Sequence, residues 1–156
     1  MLLTGSYRRT LDDKLRLAIP KQLRDAFGFS DQTVLYLAPG TDGSLAIYTH
    51  EVFDQLGQRL AQASPVAQDM RSFSRLFYAQ AQMAEVDKQG RLRIPPELAQ
   101  LANLTAEVVL LGVRDHMELW DATAWDAYLG NQQPKYDRLA ESALANPGDA
   151  KTPTSK

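Results

Sequence analysis

Two ten-residue segments, 75 positions apart, hold most of the side chains able to do chemistry. They are Leu11-Asp12-Asp13-Lys14-Leu15-Arg16-Leu17-Ala18-Ile19-Pro20 and Val86-Asp87-Lys88-Gln89-Gly90-Arg91-Leu92-Arg93-Ile94-Pro95. Each sets a carboxylate four residues before an arginine and closes on an aliphatic residue and proline. Period-2 alternation predicts a strand in which Leu15, Leu17 and Ile19, or Leu92 and Ile94, point inward. Lys14, Arg16 and Ala18, or Gln89, Arg91 and Arg93, then point outward. Four strand residues span about 13 Å, so Asp12 and Arg16 are expected to share a face without touching. The arginines need another acceptor. Phosphates and guanine edges suit a bidentate guanidinium; acids of the other segment, in a solvated ion-pair network, are the alternative. The candidate DNA-contacting residues are therefore Arg16 and Arg91, then Lys14, Gln89, Asp12 and Asp87. Arg93, Arg8 and Arg9, with Lys21 and Arg24, are candidates for phosphate contacts.

Other residues offer no comparable chemistry. The 156 residues include no cysteine, which removes disulfide frameworks, thiolate metal sites and thiol nucleophiles, and only two histidines, His50 and His116. Both histidines read as surface residues outside any cluster with ligand spacing. Asp12 and Asp13 are adjacent and should face opposite sides of a strand, so they make no shared acid–base site. Gly40-Thr41-Asp42-Gly43 is a hairpin turn too short to cradle a phosphate. Tyr48, Phe53, Trp120 and Trp125 sit at strand–helix junctions, where aromatics fill a core. The expectation is a protein that is not an enzyme and that uses no metal, cofactor or small-molecule substrate.

Net charge is −2 overall, yet it alternates along the chain. Residues 1–24 carry +4, 25–70 carry −5, 71–98 carry +2 and 99–156 carry −3. The two basic segments contain the two motifs, so one positive face can coexist with an acidic whole, as a phosphate backbone requires. No apolar run reaches 18 residues and the N-terminal charges follow the apolar residues. A soluble, cytoplasmic protein without membrane contact is expected.

The elements that must position the motifs also repeat. After each proline comes a short helix, from Lys21 to Phe27 or around Glu97 to Leu101, with proline suited to its first turn. Apolar strands Thr33–Leu37 and Val108–Leu111 follow, then a turn and a strand ending at Tyr48 or Trp120. Thr49 and Asp121 are N-cap candidates for the helices beyond. The copies are offset by 75 residues at the motif and 72 at Tyr48 and Trp120, and the three-residue deletion is placed in the turn holding Gly40–Gly43. Ser64-Pro65 reads as the start of a connector helix whose face is Val66, Met70, Phe73 and Phe77. The predicted organisation is a first repeat over 1–64 (motif 12–20, helix 50–62), a connector helix over 65–80, a second repeat over 81–130, and a polar tail over 131–156 lacking the apolar content to fold.

The doubled Asp-x-x-x-Arg motif, Arg71-Ser72-Phe73-Ser74-Arg75-Leu76-Phe77 and Glu118-Leu119-Trp120-Asp121 together resemble the bacterial MraZ family of tandem SpoVT-AbrB domains, over roughly residues 1–140. Leu15 departs from the pattern, which has glycine there as at Gly90. The resemblance implies an α+β fold: two swapped-hairpin AbrB-like β units forming an intramolecular pseudo-dimeric barrel with flanking helices. It implies a sequence-specific transcriptional regulator of double-stranded DNA, acting at repeated promoter sites upstream of the division and cell-wall gene cluster that includes its own gene. It further implies a homo-oligomeric ring and nucleoid association. An antitoxin-like protein-binding module of the same fold is the alternative.

Overall fold

Each motif ends in a proline that cannot continue a strand, and the chain turns there into a short helix in both halves. The computed structural model describes residues 1–30, 32–62 and 66–145. The first half runs β1 (Ser6–Thr10), β2 (Arg16–Ala18), α1 (Lys21–Phe27), β3 (Val34–Pro39), β4 (Leu45–Thr49) and α2 (His50–Ala61). After α3 (Gln68–Gln80) the second half repeats it as β5 (Gln82–Glu85), β6 (Arg91–Arg93), α4 (Pro96–Leu101), β7 (Glu107–Val113), β8 (His116–Asp121) and α5 (Ala122–Gln132). A 3-10 turn (Gln133–Lys135) and α6 (Tyr136–Ala143) complete the described chain.

The strands pair mostly across the halves. Six form an antiparallel sheet in the order β1-β7-β8-β4-β3-β5, and β2 pairs with β6 in a separate ribbon. The first strand of each half lies against the other half's hairpin, with Tyr7 opposite Leu110 and Gln82 opposite Leu37. Register obeys a pseudo-two-fold axis: Leu45 faces Leu119 as Ile47 faces Met117, and Arg16 faces Arg93 as Ala18 faces Arg91. The ribbon bridges the two edge strands of the sheet. Asp12 N–H donates to Arg16 O at 3.3 Å, Asp87 N–H to Arg91 O at 2.9 Å, and Val86 pairs with Leu92. The α+β, swapped-hairpin pseudo-dimer is thus realised, as a six-stranded sheet accompanied by the β2–β6 ribbon.

One core serves both copies. Leu17, Leu92, Leu35, Leu37, Leu45, Ile47, Ile94, Leu110, Met117 and Leu119 are fully inaccessible and belong to a single cluster. Each such side chain stabilises the fold by about 1.5–3 kcal/mol through burial. Helix α2 has Thr49 as its N-cap, whose Oγ accepts from Val52 N at 3.3 Å, and the Asp121 carboxylate accepts from Thr105 N and Oγ. Tyr48 and Phe53 lie in an aromatic cluster with Tyr36, Phe73, Phe77 and Tyr78, and Trp120 is buried.

Several expectations change. Strand registers put β3 and β7 73 residues apart and β4 and β8 72 apart. Two of the three deleted residues therefore fall between α1 and β3, where Gln32 takes a φ of 72°, and only one in the hairpin turn. The connector helix begins at Gln68, so Val66 precedes it and is exposed; Phe77 is its buried residue. Ser64 and Pro65 lie outside the described residues. The polar segment after Asn131 is helical as far as Ala143, because Tyr136, Leu139 and Ala140 give it one apolar side; residues 146–156 lie outside the described ones. The chain divides into two compact units, Met1–Ala122 and Thr123–Lys156. In the second, Trp125 stacks on Tyr128 with ring centroids 5.8 Å apart.

Candidate nucleic-acid interface

Asp12 to Arg16 is a turn, which corrects the strand expected there. Leu15 N–H donates to Asp12 O at 2.9 Å, and Leu15 then takes a φ of 60°. Its counterpart is the same: Gly90 N–H donates to Asp87 O at 3.0 Å, and Gly90 has a φ of 77°. A reverse turn followed by a left-handed residue is a common three-residue hairpin loop, and aspartate at its start with glycine at its fourth position is the sequence signal. Glycine adopts that conformation without strain, whereas leucine pays roughly 1–2 kcal/mol. Leu15 nevertheless copies Gly90, so the loops match in backbone despite the departure in sequence.

The turn brings each aspartate onto its own arginine. Asp12 Oδ1 accepts from Lys14 N and Arg16 N, both at 2.9 Å, while Arg16 Nε donates to Oδ2 at 2.6 Å. Asp87 Oδ1 accepts from Gln89 N and Arg91 N at 2.9 Å, and Arg91 Nε donates to its Oδ2 at 2.9 Å. The pairing is therefore direct and within each copy, neither an unreachable 13 Å nor a bridge to the other copy's acids. These bonds explain the carboxylates' acidity. The Arg16 N–H, its guanidinium and the Lys14 N–H hold Asp12 below the usual carboxylate range. At Asp87 partial burial pushes upward, but the Arg91 N–H and guanidinium with the Gln89 N–H outweigh it. With Nε engaged, both terminal amino groups of each guanidinium remain to meet an acceptor.

The ribbon sets both arginines on one surface. Leu17 and Leu92 face each other and are fully buried, so Arg16, Ala18, Arg91 and Arg93 occupy the opposite, outward face. Arg16 lies directly across from Arg93. Like charges opposite one another destabilise a ribbon, which makes this concentration unhelpful to folding. Lys14 and Gln89 are exposed in the turns, as is Lys88, a cation the motif comparison passed over although it lies inside the second copy. Arg8 and Arg9 are instead on edge strand β1, with Arg9 donating to Arg8 O and lying over the Tyr7 ring. Lys21 pairs with Asp25 at 2.8 Å on the exposed side of α1.

The histidines differ from expectation in one case. His50 is exposed at the start of α2. His116 is half-buried, its Nδ1 2.9 Å from Asp115 and its Nε2 3.5 Å from Glu118, with its ring stacked on Tyr48. Hydrogen bonding to Glu118 and then to Asp115 raises its pKa against the pull of burial. Asp115, His116 and Glu118 lie within four consecutive positions, and strand alternation puts His116 and Glu118 on one side of β8, a signal the reading of His116 as a turn residue missed. Among the described residues no group of three or more His, Asp or Glu could hold a metal, and no helix is long and apolar enough to cross a membrane.

Comparison with known proteins adds family to geometry. The profile of the family described as "MraZ protein, putative antitoxin-like" matches residues 2–76 and again 77–145. A protein of Mycoplasmoides gallisepticum named transcriptional regulator MraZ is 35% identical over 138 residues, covering 88% of this chain and 94% of its own. Proteins of the same name from Mesoplasma florum and Ligilactobacillus salivarius are 34% and 35% identical, covering 91% and 90% of this chain and 95% of theirs.

Proposed function

The chain belongs to the MraZ family, and from that premise we propose that it is a sequence-specific, DNA-binding transcriptional regulator whose β2–β6 ribbon contacts the duplex. The observation that carries this reading is the pair of arginines, Arg16 and Arg91, each oriented by its own aspartate and set on one outward face about a pseudo-two-fold axis. A two-stranded ribbon fits the major groove, and a guanidinium held at Nε presents its terminal amino groups toward a guanine edge or phosphate. Arg93, Lys14, Gln89 and Lys88 extend the surface, while Arg8 and Arg9 are candidates for outer phosphates. Asp12 and Asp87 act through the arginines as positioning residues, since the loops already occupy their oxygens. Relatives are named as transcriptional regulators rather than enzymes.

The target sites are repeated elements in the promoter upstream of the division and cell-wall gene cluster, including the protein's own gene, and the protein works in the cytoplasm at the nucleoid. Copies of the chain assemble into a ring, which multiplies weak contacts to repeated sites by avidity. A gel-shift assay with duplex DNA from upstream of its own gene should show retardation that an unrelated duplex does not compete away. Equal competition by the unrelated duplex overturns sequence specificity, and absence of any shift favours the antitoxin-like, protein-binding alternative. Light scattering should give a mass several times that of the monomer; a monomer at all workable concentrations sinks the ring.

A further inference from the structure

The two loops share a backbone but differ in what holds them. A Cβ added to Gly90 would lie 2.9 Å from Arg24 Nε and 3.0 Å from its Cδ, so the Arg24 side chain from α1 lies directly over the second loop. Arg24 Nε donates to Ile19 O at 3.0 Å, and Ile19 N–H donates to Gly90 O at 3.0 Å. One residue of the first repeat thus links a helix, the residue that follows strand β2 and the second repeat's Asp–Arg turn. At the mirror position the chemistry is inverted. The residue equivalent to Arg24, 75 positions on, is the buried Ala99, and the residue equivalent to Gly90 is Leu15, whose half-buried side chain packs against the core. Ile94 N–H donates to Leu15 O at 2.8 Å, completing the correspondence. A long side chain covers a bare turn in one copy; a bulky turn residue accompanies a short helix residue in the other.

We infer that Arg24 is a positioning residue for the Asp87–Arg91 loop, and that Leu15 does the same work for the Asp12–Arg16 loop by packing against the apolar core that includes Ala99. The inference rests on the ribbon as nucleic-acid interface only for its consequence in binding. The loop geometry stands on its own. Removing Arg24 should loosen one arginine loop and leave the other in place, so the two halves of the interface fail separately. Placing leucine at position 90 beneath an intact Arg24 should be worse than either change made with its partner, because the new side chain and the guanidinium stem claim the same space.

The test is amide hydrogen exchange on the full chain, read at Gln89 and Arg91 and at Lys14 and Arg16, for Arg24→Ala, Gly90→Leu and the double variant. Arg24→Ala should lower protection at Gln89 and Arg91 by about tenfold with Lys14 and Arg16 unchanged, and Gly90→Leu alone by at least as much. The double variant, which installs the first copy's solution in the second, should recover most of the loss. Equal loosening of both loops by Arg24→Ala, no loosening at all, or a double variant no better than Gly90→Leu would overturn the inference. Binding of the upstream duplex is read in parallel. There, Arg24→Ala should be non-additive with Arg91→Ala and additive with Arg16→Ala. If exchange behaves as expected while no variant, nor the parent, binds DNA, the proposed function fails and the positioning role survives.

Discussion

Arg16 and Arg91 are each the outward member of a pair whose aspartate is consumed by the loop itself. Neither contributes to the buried face, so Arg16→Ala and Arg91→Ala should leave the thermal midpoint close to that of the parent while weakening DNA binding. A lost base contact should cost about 1–3 kcal/mol per site, whereas a lost phosphate contact should reduce the salt slope by about one. Lowered thermal stability with affinity preserved in both variants would return the arginines to a structural role. Asp87→Asn separates orientation from loop closure. The amide oxygen still accepts from the Gln89 and Arg91 N–H groups but loses the charge that holds the guanidinium, so affinity should fall while exchange protection at Arg91 N persists; unchanged affinity would show that the clamp does not matter to binding. The carboxylates also define a pH range. Because their folded pKa values are depressed, their stabilising contribution is fully present above the unfolded value of about 3.9 and is lost only as pH falls through the lower folded value. The Arg16 and Arg91 Nε–H signals should therefore stay protected at pH 4.5, and their averaging with solvent there would contradict the direct pairing.

What was legible at this scale was residue type and face. The alternation placing Leu17 and Leu92 inward and the arginines outward is what the ribbon shows. The direct Asp–Arg bond was not legible, because period-2 alternation resumes immediately after a loop that is not itself extended. The cue was present only at Asp87 and Gly90; in the first copy Leu15 masks it by taking a backbone conformation its side chain disfavours.

Among the elements, hairpin β7–β8 is where a pH response near neutrality is expected. His116 heads β8 between Asp115 and Glu118, stacked on Tyr48, with Arg114 4.0 Å from Asp115 and Trp120 Nε1 donating to Glu118. Its folded pKa is raised, so its contribution is fully present below the unfolded value of about 6.5 and is lost as pH rises through the folded value. The thermal midpoint of the parent should fall as pH increases from 6.5 through that raised value, and His116→Gln should lack that slope. An identical slope in the variant would assign the pH dependence elsewhere. Elements were read from the sequence more securely than their ends. Helices α1, α2 and α4 carry caps or prolines at their starts, whereas β7 continues through the apolar run to Val113, and α6 arises in a segment too polar on average to stand out.

For the molecule as a whole, the exchange of first strands decides what can fold. Residues 1–64 retain the β3–β4 hairpin, but β1 would lose β7, β2 would lose β6, and β4 would lose β8. Leu17, fully buried against the second copy's Leu92, would be left in water along with Leu45 and Ile47. A two-stranded hairpin with the two helices α1 and α2 is marginal at best without a further apolar layer. The isolated fragment should therefore show no cooperative thermal transition and poor amide dispersion. Its complement, residues 65–156, should behave likewise, since β5 and β6 take their partners from β3 and β2. Mixing the two should restore a cooperative transition and a dispersed spectrum, because every cross-copy strand pair can form between separate chains. A cooperative fold in residues 1–64 alone would mean that the first repeat buries its own apolar faces. It would also undo the requirement that Arg16 and Arg91 reach a common surface only when both repeats are present.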